Sequence, residues 1–122
     1  MWLFTIYGFY SIACARNSSG QIDPDTVMVR ARKRKHLKNL KDKFPQIRAE
    51  ISTTTDTDYR YRMVMPKPEW LIILGEVGIE QNWSNFKSKV DQSKAMCGHD
   101  YSNSLHEVWE VMYRLQQKEE KS

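Results

Sequence analysis

The sequence has little of what marks the specialised protein classes. Its two cysteines, Cys14 and Cys97, are too few for a disulfide scaffold; they could make at most one bridge, and the plainer reading is two reduced thiols in a cytosolic protein. Five glycines and four prolines exclude collagen-like and low-complexity chains. No apolar run approaches the ~20 residues that a membrane-spanning helix needs. The longest, MWLFTIYGFYSIACA at residues 1–15, has no Lys or Arg ahead of it and is interrupted by aromatics and Gly8. Despite the small residues Ala13, Cys14 and Ala15 it makes a poor secretory signal. There is no G-x-G-x-x-G or P-loop to cradle a phosphate, no nucleophile elbow or paired-carboxylate motif, and no unit repeating at a fixed period. What these absences leave is one α+β domain over residues 1–122, expected in the cytoplasm, with no membrane partner and no cofactor.

What is present is globular in character: 40% apolar and 11% aromatic residues in 122, enough to bury a core. Residues 1–15 are β-branched and aromatic, as a pleated, half-buried surface requires. Trp2, Phe4, Ile6, Tyr10, Ile12 and Cys14 fall on one face of that strand, and Leu3, Thr5, Tyr7, Phe9, Ser11 and Ala13 on the other. After a polar loop at 16–25, residues 26–32 alternate again, with Val27, Val29 and Ala31 inward and Met28, Arg30 and Arg32 outward. Leu37, Leu40 and Phe44 recur at helical spacing in an otherwise charged stretch, 33–44, which Pro45 stops. A third strand is expected at 46–52 and a turn at 53–58. A fourth strand follows at 59–65, with Tyr59, Tyr61, Met63 and Met65 sharing the inner face and Arg60 and Arg62 the outer one.

Pro66 and Pro68 then open a helix whose segment 70–79 is apolar enough to be largely buried. Trp83, Phe86 and Val90 suggest a short amphipathic helix, and 93–100 a loop. Ser104 and Glu107 form a capping-box pattern for a last helix, striped by Leu105, Val108, Trp109, Met112 and Leu115, with a frayed charged tail at 116–122. Trp70, Trp83 and Trp109 are expected in the core. The order is β-β-α-β-β-α-α-α: a four-stranded antiparallel sheet with helices packed on one face.

The charge is unevenly placed. Residues 27–48 hold nine cations against Asp42 alone, a net +8, whereas the whole chain carries +4, so the remaining 100 residues carry −4. Such a segment attracts polyanions. The residues expected to meet one are Arg30, Arg32, Arg34, Lys35, Lys38, Lys41, Arg60 and Arg62. Tyr7 and Phe9 are placed to lie beside the strand arginines as stacking platforms, so an open face of this kind suits RNA or single strands. The competing reading makes the basic helix a solvated face, and the strand arginines partners of Glu50, Asp56 or Asp58 or of an acidic protein surface.

Three other groups bear on chemistry. Cys97, Gly98, His99 and Asp100 form a compact set but lack the spacing of a zinc site. Asp56 and Asp58 sit in a Thr-rich stretch that reads first as a turn, although such a pair suits Mg²⁺ with a phosphate substrate in a small nuclease. His36, among cations that favour its neutral form, is a conceivable general base without an evident partner acid. No catalytic or metal residue is assigned.

The segments MWLFT at 1–5, GFYS at 8–11, MVRAR at 28–32, TDYRYR at 57–62, NFK at 85–87 and HEVW at 106–109 together resemble a family of small, single-domain, uncharacterised bacterial proteins. That family has no assigned activity. The resemblance implies a stand-alone bacterial domain and supplies no catalytic residue. The resulting expectation is a non-enzymatic binding domain whose partner is nucleic acid. The alternative is a protein-interaction or inhibitory module, for example from a mobile element or an anti-defence system.

Overall fold

The computed structural model describes residues 1–55 and 57–121. Two compact units divide the chain, Met1–Asn82 and Trp83–Ser122. In the first, five antiparallel strands form one sheet in the order β1-β2-β3-β5-β4, one strand more than expected.

The extra strand comes from the N-terminus. Residues 1–15 are not one strand but two, Trp2–Thr5 (β1) and Gly8–Arg16 (β2), paired with Phe4 opposite Phe9 and Thr5 opposite Gly8. Thr5 builds the turn. Its Oγ1 accepts the N–H groups of Tyr7 (3.0 Å) and Gly8 (3.2 Å) and donates to the Gly8 carbonyl (2.9 Å). Gly8 has φ +147°, which side chains other than hydrogen rarely tolerate.

The second connection is tighter than the ten-residue loop expected. β3 runs Ile22–Ala31, and Asn17 Oδ1 holds the loop by accepting from the N–H groups of Ser19 (2.9 Å) and Gln21 (3.0 Å). A bulge between Cys14 and Ala15 absorbs the register change. Pro24 is tolerated because β3 pairs with β5, Tyr61–Pro66, only from Thr26 onward. The strand expected at 46–52 shrinks to Ser52–Thr53 (β4), an edge pair on β5. Ile47 is buried without being in a strand.

Residues paired across a sheet point the same way. The inner face therefore carries Tyr10, Ile12, Val27, Val29, Ala31, Met63 and Met65, all buried. Two helices cover it. In α1, Arg34–Lys43, the buried side chains are His36, Leu37, Asn39 and Leu40. Tyr10 donates its hydroxyl to the His36 carbonyl (2.6 Å), and Asn39 donates its amide to the Tyr7 carbonyl (3.0 Å). In α2, Lys67–Ile79, proline occupies the first turn and Trp70 and Ile73 are buried. This helix is not largely buried as expected: Leu71, Ile72 and Ile79 are exposed, because apolar residues occupy every side of the cylinder and the sheet covers only one.

His36 ties α1 to the first hairpin, its imidazole lying against the Gly8 backbone. The Phe9 N–H donates to its Nδ1 at 3.2 Å, which requires a lone pair on that nitrogen. Burial, then the nearby Lys33 charge, lowers its pKa to about 4. The unfolded chain, with an ordinary His pKa near 6.5, binds the proton first on acidification. The contribution of the neutral ring is thus complete above about pH 6.5 and is lost as pH falls toward 4. We expect the urea midpoint to drop across that window, with an imidazole signal titrating near pH 4 by NMR. A His36 signal titrating near 6.5 would contradict this.

In the second unit, α3 spans Phe86–Gln92, and Asn85 caps it by accepting the Ser88 N–H at 3.0 Å. α4 spans Lys94–Lys121 with a break at Gly98, φ +82°. The loop expected at 93–100 is therefore helical on both sides of a kink, and helix continues through 116–121 where a frayed tail was expected. Ser104 is not a cap but an interior residue whose hydroxyl donates back to the Asp100 carbonyl (2.8 Å). Val90, Tyr101 and Leu105 make the small core of this unit. Trp109, expected in the core, is half exposed. Among the described residues, no helix is long and apolar enough to cross a membrane.

Candidate nucleic-acid interface

The sheet has a second face, and the pairing register says what lies on it. Trp2 pairs with Ser11, Ser11 with Arg30, Arg30 with Arg62, and Arg62 with Ser52. One row of outward side chains thus crosses all five strands. The next row begins with Phe4 opposite Phe9. Their rings stack at 4.5 Å, and Phe9 also meets Trp2 edge-on at 5.9 Å and Tyr59 at 6.4 Å. Trp2 is 71% exposed. α1 and α2 cover the inner face, so these rings and guanidinium groups share the face that these two helices leave open.

Among the described residues the arginines are held in place by uncharged partners. Arg30 sits over the Tyr59 ring at 4.9 Å and Arg32 over the same ring at 4.4 Å. Arg30 donates to Ser11 Oγ at 2.9 Å, Arg32 to the Asp58 carbonyl at 2.9 Å, and Arg62 to Thr57 Oγ1 at 2.9 Å. Arg62 also donates to the Tyr59 carbonyl (3.3 Å) and reaches Met28 Sδ (3.7 Å). Each of these acceptors is neutral. Among the described residues, no carboxylate pairs with Arg30, Arg32 or Arg62. Arg30 and Arg62 stand directly opposite each other across β3 and β5, a like-charge arrangement that costs stability. An anion bound between them would offset that cost.

The expected residues divide. Arg30, Arg32, Arg62 and Phe9 come together on the uncovered face. Arg60 is exposed in the bend before β5. Arg34, Lys35, Lys38 and Lys41 belong to α1, on the other side of the sheet, so the positive charge of 27–48 forms two surfaces rather than one stripe. Lys38 pairs with Asp42 at 3.5 Å, and Lys41 donates to the Ala49 carbonyl at 2.6 Å. Tyr7 is not on the face. It is buried at the β1–β2 turn against Phe44, and its hydroxyl donates to Glu80, a carboxylate also paired with Lys43. Burial and the Glu80 contact raise its pKa.

Three residues of the face were missed. The turn at Thr5 reverses the alternation, which puts Trp2 and Phe4 on the same sheet face as Phe9 instead of the other one. The Thr-x-x-Gly spacing before the second aromatic run is the signal that would have shown it. Tyr59 was expected on the inner face with Tyr61. The chain bends at Arg60, so Tyr59 instead lies beneath Arg30 and Arg32, buried by them.

Among the described residues the remaining candidates form no cluster. Asp56 lies outside the described residues, and Asp58 is exposed. His99 and Asp100 are exposed on α4, and neither cysteine is in a disulfide. Among the described residues, no group of three His, Cys, Asp or Glu is placed to hold a metal ion. His36 has its Nδ1 committed to Phe9 and faces the interior. Comparison with family models, curated proteins and solved structures finds no match to the chain.

Proposed function

We propose that the protein is a non-enzymatic binding domain that takes single-stranded nucleic acid, RNA above all, on the uncovered face of its sheet. One observation carries the reading. Arg30, Arg32 and Arg62 are fixed by neutral acceptors and by the Tyr59 ring, without a carboxylate partner among the described residues, beside the Trp2–Phe9–Phe4 cluster. Phosphates meet the guanidinium groups, and a base stacks on the exposed Trp2 indole. Stacking of this kind contributes ~1–3 kcal/mol per base. Arg34, Lys35, Lys38 and Lys41 supply long-range attraction from the other side of the sheet.

The test compares a labelled single strand with a duplex of the same length by fluorescence anisotropy. A single strand bound at least about tenfold more tightly is expected, because bases in a duplex are not free to stack. Equal affinities would leave only unspecific charge attraction and overturn the stacking role.

A second reading, a protein-interaction or inhibitory module, is favoured by the exposed Leu71, Ile72 and Ile79 of α2. For it, capture from a bacterial lysate should recover a protein partner that Ile72→Asp abolishes. Recovery of nucleic acid alone counts against it.

A further inference from the structure

The ladder between β2 and β3 ends at Ser11 opposite Arg30. Along an antiparallel strand the residues bonded to one neighbour alternate with those bonded to the other. Ile12 both donates to and accepts from Met1 on the β1 side, at 2.8 Å each. Phe9, Ser11 and Ala13 therefore turn their N–H groups toward β3. By that register the partner of Phe9 would be Arg32, but the chain has left the sheet there: β3 stops at Ala31 and α1 begins at Arg34. The Phe9 N–H donates instead to His36 Nδ1 at 3.2 Å. A side chain from the first turn of α1 thus stands where the next strand carbonyl would have been.

The imidazole reaches this place because Gly8 has no side chain; a Cβ there would stand 2.3 Å from His36 Cγ. The His36 carbonyl accepts the Tyr10 hydroxyl at 2.6 Å, so residues 8, 9 and 10 all rest on this one histidine. Phe9 is in turn the hub of the outer rings. It stacks on Phe4 at 4.5 Å, meets Trp2 edge-on at 5.9 Å and lies 6.4 Å from Tyr59. The Tyr59 ring carries Arg30 and Arg32. A buried imidazole on the inner side of the sheet therefore fixes the residue around which the stacking ring and two guanidinium groups are arranged.

We infer that His36 is a positioning residue of the outer face, which holds its binding geometry while the imidazole is neutral and accepts the Phe9 N–H. This rests on the nucleic-acid reading of the face and adds its regulation. A protonated imidazole carries N–H on both nitrogens, so the Phe9 N–H loses its acceptor and meets a donor. The groups around the ring do not favour that form. Lys33, on its own chain segment at the start of α1, repels it. The hairpin packed on it, within residues 1–15, has no Asp, Glu, Lys or Arg and brings the Tyr10 hydroxyl; that of Tyr7 is turned to Glu80. The inward side chains of β3 and β5 are Val27, Val29, Ala31, Tyr61, Met63 and Met65, none charged at neutral pH.

The test is the affinity of the full chain for a labelled oligouridylate, whose bases do not titrate in the acid range. At pH 7.5, His36→Phe keeps a ring and removes the acceptor, and should weaken binding about five- to tenfold. His36→Asn places its Oδ1 where Nδ1 stands and should keep most of the affinity. A need for the ring's bulk alone would rank the two variants the other way. For the parent chain, affinity should fall as the pH is lowered toward about 4, in step with the Phe9 amide signal by NMR and with the circular dichroism spectrum kept. Protonation of the protein's carboxylates acts in the opposite direction, strengthening attraction for phosphates, so a fall identifies the imidazole. The inference is overturned if folded His36→Phe binds like the parent, or His36→Asn binds as weakly as His36→Phe. It is also overturned if affinity holds while the His36 signal titrates, which decides the matter should His36→Phe fail to fold. A parent chain that does not bind at pH 7.5 overturns the reading of the face itself.

Discussion

A chain carrying Arg30→Ala and Arg62→Ala together is expected to bind a single-stranded oligonucleotide about 10- to 100-fold more weakly than the parent at low salt, with its fold intact. The two guanidinium groups face each other across neighbouring strands. Their removal relieves a like-charge pair and takes away no ion pair among the described residues. Their hydrogen bonds to Ser11, Thr57 and Tyr59 go with them, so loss of affinity reports the face itself where the circular dichroism spectrum is unchanged. The control is Lys35→Ala with Lys38→Ala. It removes the same formal charge from α1, on the far side of the sheet, and should cost only the small, salt-screened share due to long-range attraction. If both double variants lose affinity equally, the protein's net charge is responsible and the face has no special part.

Gly8→Ala should be the most damaging small substitution in the first unit. A Cβ at this position would stand 2.3 Å from His36 Cγ and 2.5 Å from His36 Cβ, and the backbone would have to keep φ +147°. Positive-φ strain and overpacking each cost ~1–3 kcal/mol, a large part of the stability of an ordinary domain. Gly20→Ala separates the two effects. Gly20 also has positive φ, +78°, but nothing lies within 4 Å of a Cβ there, so only the strain is incurred. Chemical denaturation should rank Gly8→Ala well below Gly20→Ala. In a double-mutant cycle, His36→Ala should recover part of the Gly8→Ala loss, because the two side chains compete for one space. Strict additivity would show that the hairpin does not rest on His36 as described.

The α+β class was legible because alternation is a two-residue signal and survives errors of boundary. Val27, Val29 and Ala31, with Met63 and Met65, declared an inner face, and their neighbours Arg30 and Arg62 therefore an outer one. What was not legible lay at turns made by unusual residues. Thr5-Ile6-Tyr7-Gly8 looks like strand by composition, yet Thr5 Oγ1 supplies the turn's hydrogen bonds. That hidden turn added a strand, reversed the parity of Trp2 and Phe4, and moved Tyr7 inside. At 46–52 the alternating Ile47, Ala49 and Ile51 suggested a strand, but Ile47 is buried by packing without pairing. At the other end, Gly98 and the Ser104–Glu107 pattern suggested a loop and a cap. One glycine outside the helical region kinks the chain without ending the helix, and Ser104 bonds backwards instead of capping.

Charge was legible in amount but not in place. The +8 segment of 27–48 winds from the outward side of β3 to α1 on the inner side, so one run in sequence becomes two surfaces in space. No count of cations reveals that division. Only the pairing of Arg30 with Arg62 separates the arginines that share a face with aromatic rings from the lysines that do not.

The most direct measurement is the affinity for a labelled single-stranded oligonucleotide over a series of salt concentrations. Three guanidinium groups meeting three phosphates predict binding at low salt and a log–log slope of about −2, shallower in the chain with Arg30→Ala and Arg62→Ala. No binding at low salt, or an affinity indifferent to salt, contradicts the account.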